Sequence, residues 1–347
     1  MKVGLVTFSR APNFGAFLQC FATNFALKKK DVIVENFDPN LMSFYSRTNW
    51  RPQNFVYRAQ SKSYIHDRKI VQLLPKCTLG SGMDAILKLD AIFIGSDQVL
   101  NPNCIQDGNL DRVLIPSIFD IPKFGLAMST YSNENLEMAG KKNLLALSDF
   151  TKLSFREEKV AQWIHKEIGL KGQVLPDPCF LLTAEDLTKI TLKSKNIMKS
   201  NTRKFKTLVA GYDLQCWSPD IVKLIDLPWQ VRYLNFQFRQ AMKFGIFTGG
   251  PLEVLNDIMQ AEVIVTNSFH FAVAGVIAQK RVILPFGNEF DGGERLRNLS
   301  NLLGFVKLRP NIMVYDPSEV GNLVLEKLRQ SLNIYINECL KMASLKL

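Results

Sequence analysis

Apolar positions along the chain come in short runs closed by polar turn residues, and the segments between these runs repeat at helical spacing. Val3 to Phe8 reads as a buried strand, Ser9 to Ala16 as a turn-rich stretch, Phe17 to about Lys29 as a helix, and Val32 to Phe37 as a second strand. Strand, helix and strand in that order open a parallel α/β sheet. The rhythm continues with strands at 91–95, 124–128, 152–155 and 173–175, and helices at 134–150 and 156–168. Leu187 to Lys206 is rich in lysine and reads as the connection into a second domain. Beyond it, strands at 207–211, 231–236, 263–266 and 282–285 alternate with helices at 251–261, 269–279 and 295–303. Pro251 in the first turn and Glu253 near the positive end both favour a helix start there. A long amphipathic pattern from Ser318 to about Met342 closes the chain.

This pattern predicts an α/β protein with two Rossmann-like domains facing a cleft and a long C-terminal helix. The expected boundaries are 1–182 for the first domain, 183–316 for the second, and 317–347 for a helix packing across them. Parallel sheets bind ligands beyond the carboxyl ends of their strands. The residues just after each strand are therefore the ones to read for chemistry.

Four strand ends carry polar groups. The first holds Ser9, Arg10, Asn13 and Gly15, where a glycine near a helix start suits an anion cradle or a plain turn. No G-x-G-x-x-G follows, which disfavours ordinary dinucleotide binding. The second is Gly95-Ser96-Asp97-Gln98, where Asp97 either orients a hydroxyl and takes its proton or caps the next turn. The third is Ser154-Phe155-Arg156-Glu157-Glu158, where Arg156 either clamps a phosphate or carboxylate or pairs with its acidic neighbours. The fourth is Thr266-Asn267-Ser268-Phe269-His270. His270 falls at a strand-to-helix junction, as a general acid/base or a structural histidine, with Asn267 and Ser268 as alternative helix caps.

Composition narrows the classes. The 347 residues are 47% hydrophobic and 22% charged, which excludes a disordered chain. The opening residues lack an apolar signal region, and no run approaches the length of a spanning helix. A cytoplasmic protein is expected. The six cysteines are widely spaced, with no C-x-x-C and no paired Cys/His cluster, so disulfides and a metal site are not expected. The 43 Lys+Arg against 32 Asp+Glu give a net charge of +11. Residues 41–76 hold seven basic residues against one acid, and 187–212 hold seven against none, so these two segments account for the excess. No nucleic-acid motif accompanies them. A solvated surface and docking on an anionic inner membrane face are the two readings.

Several of these segments together resemble the polysaccharide pyruvyl transferase family. Gly4-Leu5-Val6-Thr7-Phe8 with Asn13-Phe14-Gly15-Ala16 is similar to its opening strand and Asn-aromatic-Gly-Ala turn. Gly95 to Val99 with Asn101-Pro102 resembles G-S-D-Q-V-W-N-P, with Leu100 in place of Trp. Ser154 to Glu157 resembles S-x-R-D/E, Leu175-Pro176-Asp177-Pro178 resembles V-L-D-P, and Val265 to His270 resembles the T-D-S-F-H-G segment. Asn267 replaces Asp, Ser268 stands where many members have Arg, and Phe271 stands where Gly usually follows the histidine.

The resemblance implies a GT-B-like fold and transfer of pyruvate from phosphoenolpyruvate to a sugar hydroxyl pair. The product would be a ketal on a cell-surface glycan or a lipid-linked oligosaccharide precursor. Phosphoenolpyruvate is then a co-substrate, with no metal or organic coenzyme. The resemblance associates Arg156 and His270 with phosphoenolpyruvate. In the reaction it implies, His270 and Asp97 are the acid/base candidates, and Ser268, Asn267, Phe269, Arg10, Asn13, Gly15, Ser96, Gln98 and Arg295 are further substrate-binding candidates. Competing readings are a nucleotide-sugar glycosyltransferase of the same architecture and a catalytically silent glycan-binding relative.

Overall fold

The structure is a computed structural model describing residues 1–9, 13–39, 62–73, 83–105, 108–115, 120–130, 132–195, 205–211, 231–235, 249–285, 293–309, 312–318 and 322–345. Its strands are β1 (Lys2–Val6), β2 (Ile33–Phe37), β3 (Ala91–Ile94), β4 (Lys123–Gly125), β5 (Ser154–Phe155), β6 (Gln173–Val174), β7 (Thr207–Gly211), β8 (Val231–Asn235), β9 (Val263–Thr266), β10 (Arg281–Pro285), β11 (Val306–Arg309) and β12 (Ile312–Tyr315). Its helices are α1 (Phe14–Lys28), α2 (62–70), α3 (Met83–Ile86), α4 (Asp111–Leu114), α5 (Asn133–Ala139), α6 (Lys141–Leu144), α7 (Glu158–Ile168), α8 (Ala184–Lys195), α9 (Pro251–Gln260), α10 (Phe269–Ile277), α11 (Gly293–Leu303) and α12 (Leu323–Ser344). The chain divides into two compact units. The first is Met1–Thr48, Gln72–Leu181 and Leu328–Leu347, and the second is Asn49–Val71 and Leu182–Lys327.

The first unit is built on a parallel sheet in the order β2-β1-β3-β4. Single bridges at Phe124–Lys152 and Met128–Phe155 carry it on toward the parallel β5–β6 pair. The central strands are buried on both faces, as a sheet covered by helices requires: Leu5, Val6, Ile92, Phe93 and Phe124 are all inaccessible. Asn13 starts α1 by accepting the Ala16 N–H on its side chain at 3.1 Å. Tyr335 of α12 fastens that helix to the sheet by donating its hydroxyl to the Gly125 carbonyl at 2.6 Å.

The second unit holds a six-stranded sheet in the order β11-β12-β10-β9-β7-β8. β7, β8, β9 and β10 run parallel, and β12 and β11 add an antiparallel edge. The α/β class and the closing helix read from the sequence pattern are both observed.

Three local expectations are corrected. Residues 134–150 do not form one helix. Gly140 takes φ +76°, ends α5 by donating to the Leu136 and Glu137 carbonyls, and gives way to the short α6 and a 3₁₀ turn at Leu145–Asp149. Leu187 to Lys195 is not a connection but part of α8. Thr183 and Asp186 cap that helix reciprocally, at 3.0 and 3.1 Å, and Leu187 and Ile190 are buried under its lysine surface. The β11–β12 hairpin was not expected, because all four residues of β11 are exposed and carry no buried stripe.

Candidate functional site

In the first unit, β1 has β2 on one side and β3 on the other, so the strand order reverses between β1 and β3. Such a reversal is where parallel sheets open a crevice at their carboxyl ends. Gly95 leaves β3 at φ +117°, and a Cβ there would lie 2.4 Å from the Leu126 carbonyl oxygen. Only glycine tolerates that turn. Ser96 is fully buried, and its carbonyl accepts from the Thr7 hydroxyl at 3.4 Å. Thr7 Oγ1 in turn accepts from Gln19 Nε2 at 2.8 Å.

Asp97 follows at φ +64° and is half-buried. Its main-chain carbonyl accepts from the Val99 N–H at 2.8 Å and the Ser129 N–H at 3.1 Å. Its carboxylate makes no hydrogen bond among the described residues, so it does not cap the following turn. Gln98 Oε1 accepts from Asn101 Nδ2 at 2.8 Å and so braces the loop.

Arg156 leaves β5 with its side chain only 5% exposed. Nε donates to Glu157 Oε1 at 2.9 Å, Nη1 to Asp177 Oδ2 at 2.8 Å, and Nη2 to Ser129 Oγ at 2.9 Å. Burial opposes its charge, but attraction by Glu157, Asp177 and Asp97 outweighs burial and holds the guanidinium pKa above its ordinary value. Asp177 also accepts the Cys179 N–H at 2.9 Å. Burial, then the Asp177 charge, pushes the Cys179 thiol well up. Among the described residues, two carboxylates hydrogen-bond this guanidinium and a third, that of Asp97, attracts it.

The remaining candidates of this unit are placed as follows. Asn13 is exposed at the start of α1, Gly15 is buried in its first turn, and Arg10 lies outside the described residues. The pairing of Arg156 with its acidic neighbour Glu157, one of the two sequence readings, is observed, whereas sequence reasoning did not single out Ser129 and Asp177 as its partners. It also missed Asp38, which follows β2 and accepts from the Ser9 N–H at 2.7 Å and its hydroxyl at 3.3 Å. The sequence signal for all of these is their position just past a strand.

In the second unit, the strand order reverses between β9 and β7. β9 ends at Thr266, whose Oγ1 accepts the Ser268 N–H at 3.0 Å. Ser268 occupies the cap position of α10 with an extended backbone and no side-chain capping bond. Its carbonyl accepts the Ala272 N–H at 3.0 Å. His270 is the second residue of α10, half-buried, with its ring edge-to-face against Phe269 at 5.1 Å. Phe271 turns into the core and is 3% exposed. Gly275 lets α10 lie close on the sheet: a Cβ there would meet Val282 Cγ2 at 2.8 Å and Ile264 Cδ1 at 2.9 Å. That close packing sets the position of His270. Asn267 and Phe269 are half-buried beside it, and Arg295 is half-buried near the start of α11.

A family model for polysaccharide pyruvyl transferase matches residues 13–289. The chain belongs to the polysaccharide pyruvyl transferase family. The match covers most of the chain and takes in both strand-end clusters, so the family is one of transferases and the chain is a member of it. Among curated proteins no match is found. Solved structures share the fold. UDP-GlcNAc 2-epimerase from Methanocaldococcus jannaschii is 15% identical, with 88% of this chain and 87% of that chain covered at a TM-score of 0.53. UDP-GlcNAc 2-epimerase from Neisseria meningitidis bound to UDP-GlcNAc is 13% identical, with 99% and 94% covered at a TM-score of 0.51. At these identities the likeness shows the GT-B type of fold and nothing of the activity.

Proposed function

We propose that the protein transfers pyruvate from phosphoenolpyruvate to two hydroxyls of one sugar, closing a ketal on a cell-surface glycan or its lipid-linked precursor. The observation that carries this reading is the family match over residues 13–289, which includes the segment placing His270 at the β9–α10 junction.

The donor falls to the second unit. A helix N-terminus is electropositive and suits the phosphate and carboxylate of phosphoenolpyruvate, and His270 stands in the first turn of α10. His270 gives a proton to the methylene carbon, which leaves the central carbon electron-poor. The acceptor falls to the first unit, where the Asp97 carboxylate is half-buried just past β3 and suits a hydroxyl proton. One sugar hydroxyl bonds to the central carbon and passes its proton to Asp97. The bond to phosphate breaks, inorganic phosphate leaves, and the second hydroxyl adds with loss of its proton to close the ketal. The reaction as written draws on no further cofactor. Arg156, held in place by Ser129, Glu157 and Asp177, is the first unit's candidate cation for phosphoenolpyruvate, as the family resemblance implies.

The fold is shared with nucleotide-sugar enzymes, so a nucleotide-sugar donor is the second reading. The inward packing of Phe271 counts against a catalytically silent relative. Among the described residues no helix is long and apolar enough to cross a membrane. With the basic segments we associate peripheral docking on an anionic inner membrane face, where a lipid-linked acceptor would be met.

Calorimetric titration with phosphoenolpyruvate and with UDP-GlcNAc tests the donor. Phosphoenolpyruvate should bind the wild type, and at least tenfold more weakly to His270→Ala. Binding of UDP-GlcNAc with none of phosphoenolpyruvate would favour the second reading.

A further inference from the structure

We propose that the β11 edge of the second unit docks on an anionic phospholipid surface. The proposal rests on the reading of peripheral docking given above and names the element that touches the lipid. Residues 295–315, between Glu294 and Asp316, hold Arg295, Arg297, Lys307 and Arg309 and no acid. The segment runs through α11, β11 and β12. Gly304 at φ +70° ends α11, and the Phe305 N–H donates to the Ser300 carbonyl at 2.9 Å. Phe305 then packs on Tyr315, with ring centroids 5.4 Å apart, and Ile312 and Val314 of β12 are buried. β11 is thereby fastened to the core, yet all four of its side chains are exposed. Val306 is 56% exposed, Leu308 49%, and Leu302 in the last turn of α11 45%. Exposed apolar side chains gathered within seven residues mark a surface that meets another molecule or phase.

The chemistry selects the occupant. β11 is the edge of the six-stranded sheet, where a further strand can add. Two features oppose a second copy of this strand there. In an antiparallel self-pairing, Lys307 and Arg309 would face like charges, which destabilises it. The ladder is also bulged: Lys307 lies opposite Met313 and Arg309 opposite Ile312, so Leu308 has no partner across it. The same residues suit lipid. Apolar side chains sink into the boundary between headgroups and acyl chains, while Lys307 and Arg309 keep their charges at the phosphates. β11 is antiparallel to β12 and β12 to β10, which is parallel to β9. β11 therefore runs with β9, and Leu308 and Arg309 lie at the end of the sheet where His270 follows β9. Three strand spacings, about 14 Å, separate these two strands. A membrane held at β11 brings a lipid-linked acceptor to the end of the sheet that carries His270.

The test is co-sedimentation of the full chain at low salt with vesicles of phosphatidylcholine alone, and of phosphatidylcholine and phosphatidylglycerol in equal parts. Wild type should bind the mixed vesicles at least tenfold more tightly than the neutral ones. Lys307→Glu with Arg309→Glu should weaken that binding at least tenfold, and Val306→Ser with Leu308→Ser at least fivefold. Leu308→Trp should bind at least as tightly as wild type and add tryptophan fluorescence that brominated acyl chains quench. Wild-type binding by both double variants would overturn the proposal and leave peripheral docking to the other basic segments. A wild-type dimer in analytical ultracentrifugation that Val306→Ser with Leu308→Ser dissolves would also overturn it, by giving the edge to a second copy. No binding of wild type to the mixed vesicles would overturn both this proposal and peripheral docking. If a double variant does not fold, Leu308→Trp carries the test: no added quenching in the vesicle-bound variant would overturn the proposal.

Discussion

The Asp67 carboxylate accepts the Leu252 N–H at 2.9 Å and so caps α9 from 185 residues away in sequence. Gly250 stands at the cap position of α9 with no side chain of its own, and a Cβ there would lie 2.1 Å from Asp67 Oδ2. Asp67 is 1% exposed. Burial raises its pKa above the ordinary value, and the Leu252 N–H and His66 offset only part of that. Two outcomes follow. Asp67→Ala should destabilise the protein by about 1–3 kcal/mol, because a charge-assisted cap is lost.

The pH dependence has a definite sign. As pH rises from about 3.9, unfolded Asp67 gives up its proton before the folded residue does. Rising pH therefore draws on stability until the higher folded pKa is passed. Asp67→Asn lacks that term. Its stability relative to wild type should increase with pH across this window and level off above it, as read by urea denaturation. A relative stability that falls with pH across the window would contradict the assignment.

Gly95→Ala should be among the most damaging single changes in the first unit. The left-handed φ and the 2.4 Å approach to the Leu126 carbonyl leave no space for a methyl group. A loss of about 2–4 kcal/mol is expected. Thermal melting with refolding checks it, and a shift of less than a degree would mean that the turn relaxes easily.

The Cys339 thiol should be inert in the folded protein. It is fully buried, and burial pushes its pKa up to about 12, with the nearby Lys152 charge only partly offsetting this. At pH 8 only about one thiol in 10⁴ is then ionised. Alkylation by iodoacetamide should reach Cys339 only after denaturant is added, as peptide mass mapping would show. Rapid labelling of the native chain at Cys339 would contradict its burial against the sheet.

The sheets were legible because their strands are written as apolar runs, Ala91 to Ile94 and Val263 to Thr266 among them. The helix α8 was hidden by its own lysines: its buried Leu187 and Ile190 are too few to stand out among them. The break at Gly140 depends on a backbone angle that composition does not carry. The positions of Asp97, Arg156 and His270 just past strands were legible because each follows an apolar run that ends in polar residues. The adjacent partner of Arg156, Glu157, was legible, but the distant ones were not, because Ser129 lies 27 residues before it and Asp177 21 after it. Only the strand order brings them together. The same holds for Asp67 and Leu252.

The central claim is pyruvyl transfer, and its most direct test follows the donor carbon. Phosphoenolpyruvate labelled with ¹³C at the central carbon is incubated with the protein and a panel of lipid-linked and p-nitrophenyl glycosides. Carbon NMR and phosphate assay are read together. The account predicts a ketal carbon on at least one acceptor, one phosphate released per ketal formed, and loss of both in His270→Ala. Intact phosphoenolpyruvate across the panel, with a nucleotide sugar consumed in its place, would contradict it.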